Sequence, residues 1–122
     1  MITGIITPYN EAVISLRVQG NTEDVRSIEG IIDTGFTGFL TLLSSLIHAL
    51  NLPWRRRGLA ILADGTETIF DIYEATVFWD GQPRRIAVDT AETDPLIGMS
   101  LLKGYEMTMR VVEGGRVIIT AI

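Results

Sequence analysis

The chain has 122 residues, of which 47% are hydrophobic and 20% charged, so it is long enough to bury a core and is not of the disordered class. The formal net charge of −5 and the pI near 4.7 argue against a nucleic-acid-binding protein, because such a protein needs a basic face. The lack of cysteine excludes disulfides, thiolate catalysis and cysteine-type zinc sites. We expect a single domain over residues 1–122.

The N-terminal sequence, MITGIITPYNEA, has neither the basic start nor the long apolar core of a signal peptide. A membrane span needs about 20 apolar residues, and the best candidate, 39–52, is shorter and carries five polar residues. The single histidine, His48, has no partners at metal-ligand spacing, and the glycines form no phosphate-binding pattern. The sequence therefore predicts a cytoplasmic protein with no membrane partner, no metal and no cofactor.

Most of the predicted elements are strands separated by turn residues. In chain order the predicted strands are 13–18, 25–32, 39–42, 58–63, 69–79, 84–89, 105–112 and 116–122. One helix is expected from Ser44 or Ser45, as its N-cap, to about Leu50. A helical turn is expected over 100–103, closed by Gly104. Short strands at this spacing predict a mostly β, barrel-like or sandwich domain with one or two short helices.

Two Asp-Gly pairs predict tight turns between strands. Asp64-Gly65 and Asp80-Gly81 are each flanked by β-type sequence, and we expect a type I′ turn at Asp64-Gly65. The basic run Arg55–Arg57 is interpreted as a solvated loop, and Asp89-Thr90-Ala91 as a surface turn after a strand. Neither of these two segments is expected to carry function.

The stretch EGIIDTGFTGFL, residues 29–40, places a carboxylate at the end of an apolar strand. Such a carboxylate is costly unless it is hydrogen-bonded or lies exposed in a cleft. Gly35 allows close approach of the backbone, and Thr34 offers a hydroxyl that can anchor the loop. This is how a reactive acid is positioned, although Asp-Thr-Gly by itself also occurs in ordinary turns.

The order of motifs along the chain resembles that of the retropepsin-like aspartic proteases, from about Val13 to Ile118. In that family the acid triplet is followed by a flap hairpin, and later by an apolar-apolar-Gly segment that leads into a short helix. Here these features correspond to Asp33-Thr34-Gly35, to Asp64-Gly65 and to Leu96-Ile97-Gly98. The resemblance implies the small closed β domain of the acid proteases.

The resemblance also assigns roles to residues of the triplet. Asp33 resembles the catalytic aspartate, and Thr34 the threonine that hydrogen-bonds to the matching loop of a partner subunit. Gly35 resembles the glycine whose N–H holds the carboxylate. Phe36 departs from the pattern, since this position is usually small in the family, and we expect its bulk to narrow the cleft.

Further residues are assigned to substrate binding on the same basis. Phe36 and Thr37 follow the triplet, and Asp64 and Gly65 stand where the flap tip is expected. Ile97 and Gly98 are included as well, in a segment expected to pack beneath the catalytic loop.

Hydrolysis of a peptide by this mechanism needs two carboxylates that share one proton, because two like charges a few ångströms apart cannot both ionise cheaply. The ionised member removes a proton from water, and the protonated member donates to the scissile carbonyl. The chain has one such triplet, so the second Asp33 must come from a second copy of the chain.

We therefore expect a homodimeric aspartic endopeptidase acting on peptide or protein substrates, held together partly by the terminal strand 117–122. The alternative is a non-catalytic dimeric binding or scaffold module with the same fold.

Overall fold

The computed structural model describes residues 1–122 and contains ten strands and two short helices. The strands are β1 (Ile2–Ile6), β2 (Ala12–Gln19), β3 (Val25–Ile32), β4 (Leu40–Leu42), β5 (Trp54–Ile61), β6 (Glu67–Trp79), β7 (Gln82–Thr90), β8 (Leu96–Ile97), β9 (Tyr105–Met109) and β10 (Arg116–Ala121). The helices are α1 (Ser44–Ala49) and α2 (Met99–Leu102). The predicted mostly β composition with two short helices is confirmed.

The ten strands form one sheet that closes on itself. Their order is β5-β6-β7-β4-β8-β3-β2-β1-β10-β9, and β2 pairs in addition with β6, through Val18 opposite Val77. This extra pairing turns β6, β7, β4, β8, β3 and β2 into a closed ring. The predicted barrel-like domain is therefore confirmed, with β5 outside the ring at one end and β1, β10 and β9 outside it at the other.

The core is built from strand residues of alternating orientation. Along β2 the inward positions Ala12, Ile14, Leu16 and Val18 are buried while their neighbours are more exposed, as expected for a strand with one face on a core. They pack with buried residues from the other strands and from both helices in a single cluster. The apolar burial of this cluster is the main stabilising contribution to the fold.

The C-terminal strand, which we expect to contribute to a subunit interface, is paired on both sides within one chain. Strand β10 pairs with β1 on one side and with β9 on the other, and Val117 and Ile119 are in the core. Both of its edges are therefore occupied within one chain. The unpaired edges of the sheet belong to β5 and β9.

Two local predictions are wrong. Neither serine caps α1: the N-cap is Leu43, and the Ser44 N–H donates to Oε1 of Glu92 at 3.2 Å, which supplies the acceptor that a serine hydroxyl was expected to provide. The basic run is part of β5 rather than a loop. Arg55 there pairs with Glu74 at 2.8 Å, and Arg85 from β7 pairs with the same carboxylate at 2.7 Å.

Neither helix is long and apolar enough to cross a bilayer.

Candidate active site

Asp33 begins a seven-residue loop between β3 and β4, and β8 lies between these two strands. Ile32 at the end of β3 pairs with Ile97 in parallel, and Leu40 at the start of β4 pairs with the same residue antiparallel. The N–H of Asp33 donates to the Ile97 carbonyl at 2.9 Å. Both ends of the loop are therefore fixed to one buried strand, which sets where the carboxylate leaves the barrel.

The triplet itself folds into a tight turn that orients the carboxylate. The Phe36 N–H donates to the Asp33 carbonyl at 3.1 Å, and the Gly35 N–H donates to Oδ1 of Asp33 at 2.9 Å. A Cβ on Gly35 would lie 3.2 Å from that oxygen, closer than a comfortable contact. Gly35 is required here for close approach, and the half-buried carboxylate keeps its second oxygen for another partner.

The rest of the loop is held by the start of α2. The carbonyls of residues 36–39 all accept hydrogen bonds from Gly98, Met99 or Ser100. The bonds run from Met99 N–H to Phe36 at 2.8 Å, Ser100 Oγ to Thr37 at 2.5 Å, Ser100 N–H to Gly38 at 3.1 Å, and Gly98 N–H to Phe39 at 3.0 Å. Four successive carbonyls of this loop are therefore satisfied by hydrogen bonds, which fix its backbone to the start of α2. A positioning role for Ser100 was not predicted, since this residue was expected only to begin a helical turn.

Gly98 and Gly38 make room for the ring of Phe36. A Cβ at Gly98 would lie 2.6 Å from Cδ2 of Phe36, and one at Gly38 would lie 2.6 Å from its Cζ. The ring therefore packs over two residues that have no side chain. This accounts for a bulky residue after the triplet, and it places the half-buried ring at the wall of a cavity.

The expectation that Ile97 and Gly98 bind substrate is wrong. Ile97 is 0% exposed and belongs to the core cluster. Gly98 is buried beneath Phe36 and the Gly38 carbonyl. Both residues support the candidate catalytic loop, residues 33–39, from below, as the resemblance also implied, and neither reaches a surface that a ligand can contact.

Strands β5 and β6 form the flap-like hairpin, with Asp64 and Gly65 at its tip. The turn is not type I′, because Gly65 has φ +84° whereas Asp64 does not have a positive φ. The Gly65 N–H donates to the Leu62 carbonyl and the Leu62 N–H to the Thr66 carbonyl, so the loop has three residues, ending in a left-handed glycine. Hydrogen bonds from the side chain and N–H of Thr66 hold the pKa of Asp64 below its ordinary value.

The type I′ geometry occurs instead at the second predicted hairpin. Asp80 has φ +53° and Gly81 has φ +81°, and they connect Trp79 directly to its partner Gln82. Two identical dipeptides thus form different turns.

A cavity of about 570 Å³ separates the hairpin from the catalytic loop. Its lining residues come from the loop, the hairpin and the end of β7: Gly35, Phe36, Thr37, Gly38, Thr41, Leu59, Ala60, Ile61, Phe70, Asp89, Thr90 and Ala91. The predicted residues Phe36 and Thr37 are among them, whereas Asp64 and Gly65 are not. Asp89 and Thr90 belong to β7 and line this cavity, so interpreting them as a surface turn was wrong.

Thr34 lies on another side of the loop from this cavity. It lines a second depression of about 520 Å³ with α2 and β9, whose apolar members are Met99, Leu102, Tyr105 and Met107. Thr34 and Phe36 therefore lie at two different surfaces, and Thr37 lines both.

Comparison with solved structures identifies the architecture. The chain is similar to the EIAV protease in complex with the inhibitor HBY-793, with a TM-score of 0.56 and 14% identity over 76% of this chain and 86% of that one. It is also similar to a retropepsin-like aspartic protease from Rickettsia conorii, with a TM-score of 0.60 and 16% identity over 99% of this chain and 90% of that one. No protein-family model and no curated protein matches the sequence. At these identities the likeness establishes the retropepsin-like fold.

Proposed function

We propose, from the retropepsin-like fold and the geometry of the triplet, that this chain is an aspartic endopeptidase that works as a homodimer. The observation that carries the proposal is the Gly35 N–H bound to Oδ1 of Asp33 at 2.9 Å, in a loop whose next carbonyls are all anchored to α2. A module without catalytic duty has no need for a carboxylate oriented in this way.

In the proposed mechanism a water molecule lies between two Asp33 carboxylates, one from each subunit. The pair shares one proton, since two negative charges so close would be costly. The ionised carboxylate takes a proton from the water as it attacks the scissile carbonyl carbon, and the protonated one donates to the carbonyl oxygen. The resulting tetrahedral intermediate then breaks at the C–N bond, with a proton passing to the leaving nitrogen.

The dimer would form through the depression that contains Thr34, together with the free edge of β9. Along an antiparallel strand, the backbone N–H groups point alternately toward the neighbouring strand and away from it. Because the Arg110 N–H donates to the Arg116 carbonyl, the N–H groups of Met107 and Met109 point away from β10. A second copy could pair with this edge and cover Met99, which is 46% exposed. Thr34, whose hydroxyl has no partner within the chain, would then face its counterpart across the two-fold axis.

The test is the cleavage of a peptide library by the wild type and by Asp33→Asn in parallel. The amide keeps the shape of the carboxylate but cannot accept the proton of water, so we expect hydrolysis to be abolished while the fold and the dimer remain. A statine-type inhibitor, whose hydroxyl resembles the tetrahedral intermediate, should bind the wild type and lose its affinity for the variant. Activity of the wild type should be bell-shaped in pH, because only the singly protonated pair is competent.

Equal residual cleavage by the two proteins would indicate a contaminating protease. The non-catalytic dimeric binding module would then be the better explanation of the fold.

A further inference from the structure

The cavity between the hairpin and the catalytic loop contains a single ionisable side chain. Of its twelve lining residues only Asp89 can carry a charge, and six of the others are apolar: Phe36, Leu59, Ala60, Ile61, Phe70 and Ala91. Leu59 and Ile61 are 57% and 71% exposed, so their apolar side chains are open to a molecule that enters the cavity. The cavity is therefore an apolar slot with one carboxylate.

Asp89 reaches the catalytic loop from the neighbouring strand. It lies near the end of β7, in register with Thr41 of β4 and Ile72 of β6. Val88 before it is buried in the core, so the Asp89 side chain is on the opposite face of the strand. Its Oδ2 lies 3.4 Å from the position that a Cβ of Gly38 would occupy. The absence of a side chain at Gly38 is what leaves this carboxylate open to the cavity.

The carboxylate has no partner within the chain. Asp89 takes part in none of the four ion pairs and in none of the side-chain hydrogen bonds. The nearby hydroxyl of Thr90 donates to the Asp71 carbonyl instead, and that of Thr41 accepts from the Leu96 N–H. A half-buried carboxylate without donors is unfavourable, and burial raises the pKa of Asp89.

Arg56 does not act as a structural partner for this acid. Arg56 of β5 pairs with Ile72 of β6, and Ile72 pairs with Asp89 of β7. The strand β6 therefore lies between the two charged residues. Its positive charge partly opposes the effect of burial without forming an ion pair within 4 Å. The position for a cation beside Asp89 is therefore open.

We propose that Asp89 is a specificity-determining residue that binds the charged end of a substrate lysine or arginine. This rests on the proposed peptidase function and adds its substrate class. The apolar walls suit the methylene groups of such a side chain, while the carboxylate accepts charge-assisted hydrogen bonds from its end. Because the Asp89 carboxylate lies beside Gly38, in the loop that also carries Asp33, we expect the side chain it binds to flank the scissile bond.

The first experiment compares cleavage of peptides that differ at one flanking position, occupied by lysine, arginine, glutamine, norleucine or glutamate. We expect the wild type to prefer the basic peptides over the glutamine and norleucine peptides by roughly 10- to 100-fold in kcat/KM, the range for a hydrogen bond to a charged group. Asp89→Asn should remove this preference, so that the basic and norleucine peptides are cleaved with similar kcat/KM. Asp89→Glu should retain a basic preference.

The matched control is Asp24→Asn, which makes the same change of charge in the exposed segment between β2 and β3, outside the cavity. It should keep the full preference for basic peptides. If it reduced the preference as much as Asp89→Asn, the effect would be one of net charge and the subsite proposal would be refuted. A wild type that cleaves without any preference for lysine or arginine would refute it as well, whatever the variants do.

A second experiment separates this proposal from the peptidase function. In the Asp33→Asn background, binding of fluorescent lysine and norleucine peptides is measured directly. Tighter binding of the lysine peptide that disappears with Asp89→Asn supports the subsite even if the wild type hydrolyses nothing. Equal binding of both peptides by a folded protein overturns the subsite even if the wild type proves to be an active peptidase.

Discussion

At the scale of single residues, Ser100 connects the helix α2 to the candidate catalytic loop, residues 33–39. Its hydroxyl donates to the Thr37 carbonyl and its N–H to the Gly38 carbonyl, two and three positions beyond Gly35, whose N–H donates to Oδ1 of Asp33. Ser100 touches no reacting atom in the proposed mechanism. It acts as a positioning residue through the loop.

We expect Ser100→Ala to lower the free energy of unfolding by about 0.5–1.5 kcal/mol, the usual contribution of one hydrogen bond. It should lower kcat more than it raises KM, because a looser loop misplaces Asp33 without removing a substrate contact. Ser45→Ala, at an exposed position of α1, is the control and should change neither. Steady-state kinetics and chemical denaturation measure both effects, and a kcat equal to that of the wild type would contradict the positioning role.

Asp89 makes a separate prediction about stability and pH. Burial raises its pKa above the ordinary value of 3.8, so the native state holds this proton more tightly than the unfolded chain. Between the pKa of Asp89 in the unfolded chain and its pKa in the native state, the native state binds more protons than the unfolded chain. The free energy of unfolding of the wild type must therefore fall as pH rises through this window. Above the pKa of Asp89 in the native state, the stability contributed by this proton is fully lost.

Asp89→Asn removes this titration, so the variant should be at least as stable as the wild type at neutral pH. The free energy of unfolding of the wild type should rise relative to that of Asp89→Asn as pH falls toward 3.8. Urea denaturation of both proteins at equal concentration across this range is the measurement, since other titrating groups cancel in the difference. A difference that does not vary with pH would mean that Asp89 is not desolvated.

At the scale of elements, the β5–β6 hairpin combines an exposed apolar strand with a turn that needs a left-handed residue. Gly65 has φ +84°, and a Cβ there would meet no atom within 4 Å. Substitution is therefore opposed by backbone strain alone, which for a β-branched residue at positive φ is about 1–3 kcal/mol. That strain would be relieved by distortion of the tip, far from the core.

Gly65→Val should consequently reduce peptide cleavage more than it reduces global stability, because lids of this kind close over substrate. Ala63→Val places the same side chain two residues earlier, where φ is not positive, and should leave cleavage unchanged. Activity and melting temperature are compared for the three proteins. Normal cleavage by Gly65→Val would exclude the hairpin tip from the catalytic cycle.

At the scale of the whole molecule, the proposed activity depends on a surface that one chain leaves uncovered. The depression lined by Thr34, Met99 and Met107 adjoins the free edge of β9, while β10 is paired on both sides. Unpaired apolar strand edges are an aggregation hazard unless they are covered. Truncation after Gly115 would remove Val117 and Ile119 from the core and so unfold the chain rather than simply separate subunits.

Analytical ultracentrifugation at micromolar concentration should give the mass of two chains for the wild type. Met99→Glu places a charge in the depression without touching the core cluster, and it should shift the protein toward monomer and reduce activity in parallel. Val25→Glu, at a similarly exposed apolar position outside the depression, should remain dimeric. A monomeric wild type with full activity would contradict the two-copy site.

The sequence by itself determined the barrel-like β class, most strands and the position of Asp33, because alternating burial and glycine turns are local signals. It could not separate the two Asp-Gly turns, since the register of the flanking strands decides whether two or three residues connect them. Only the tertiary structure placed Ser100 on the loop carbonyls and buried Ile97 beneath them. Likewise, only the folded sheet brings Asp89 to Gly38 and pairs β10 on both sides. These contacts join residues that are distant in the chain. A local sequence pattern does not specify which strands pair with each other.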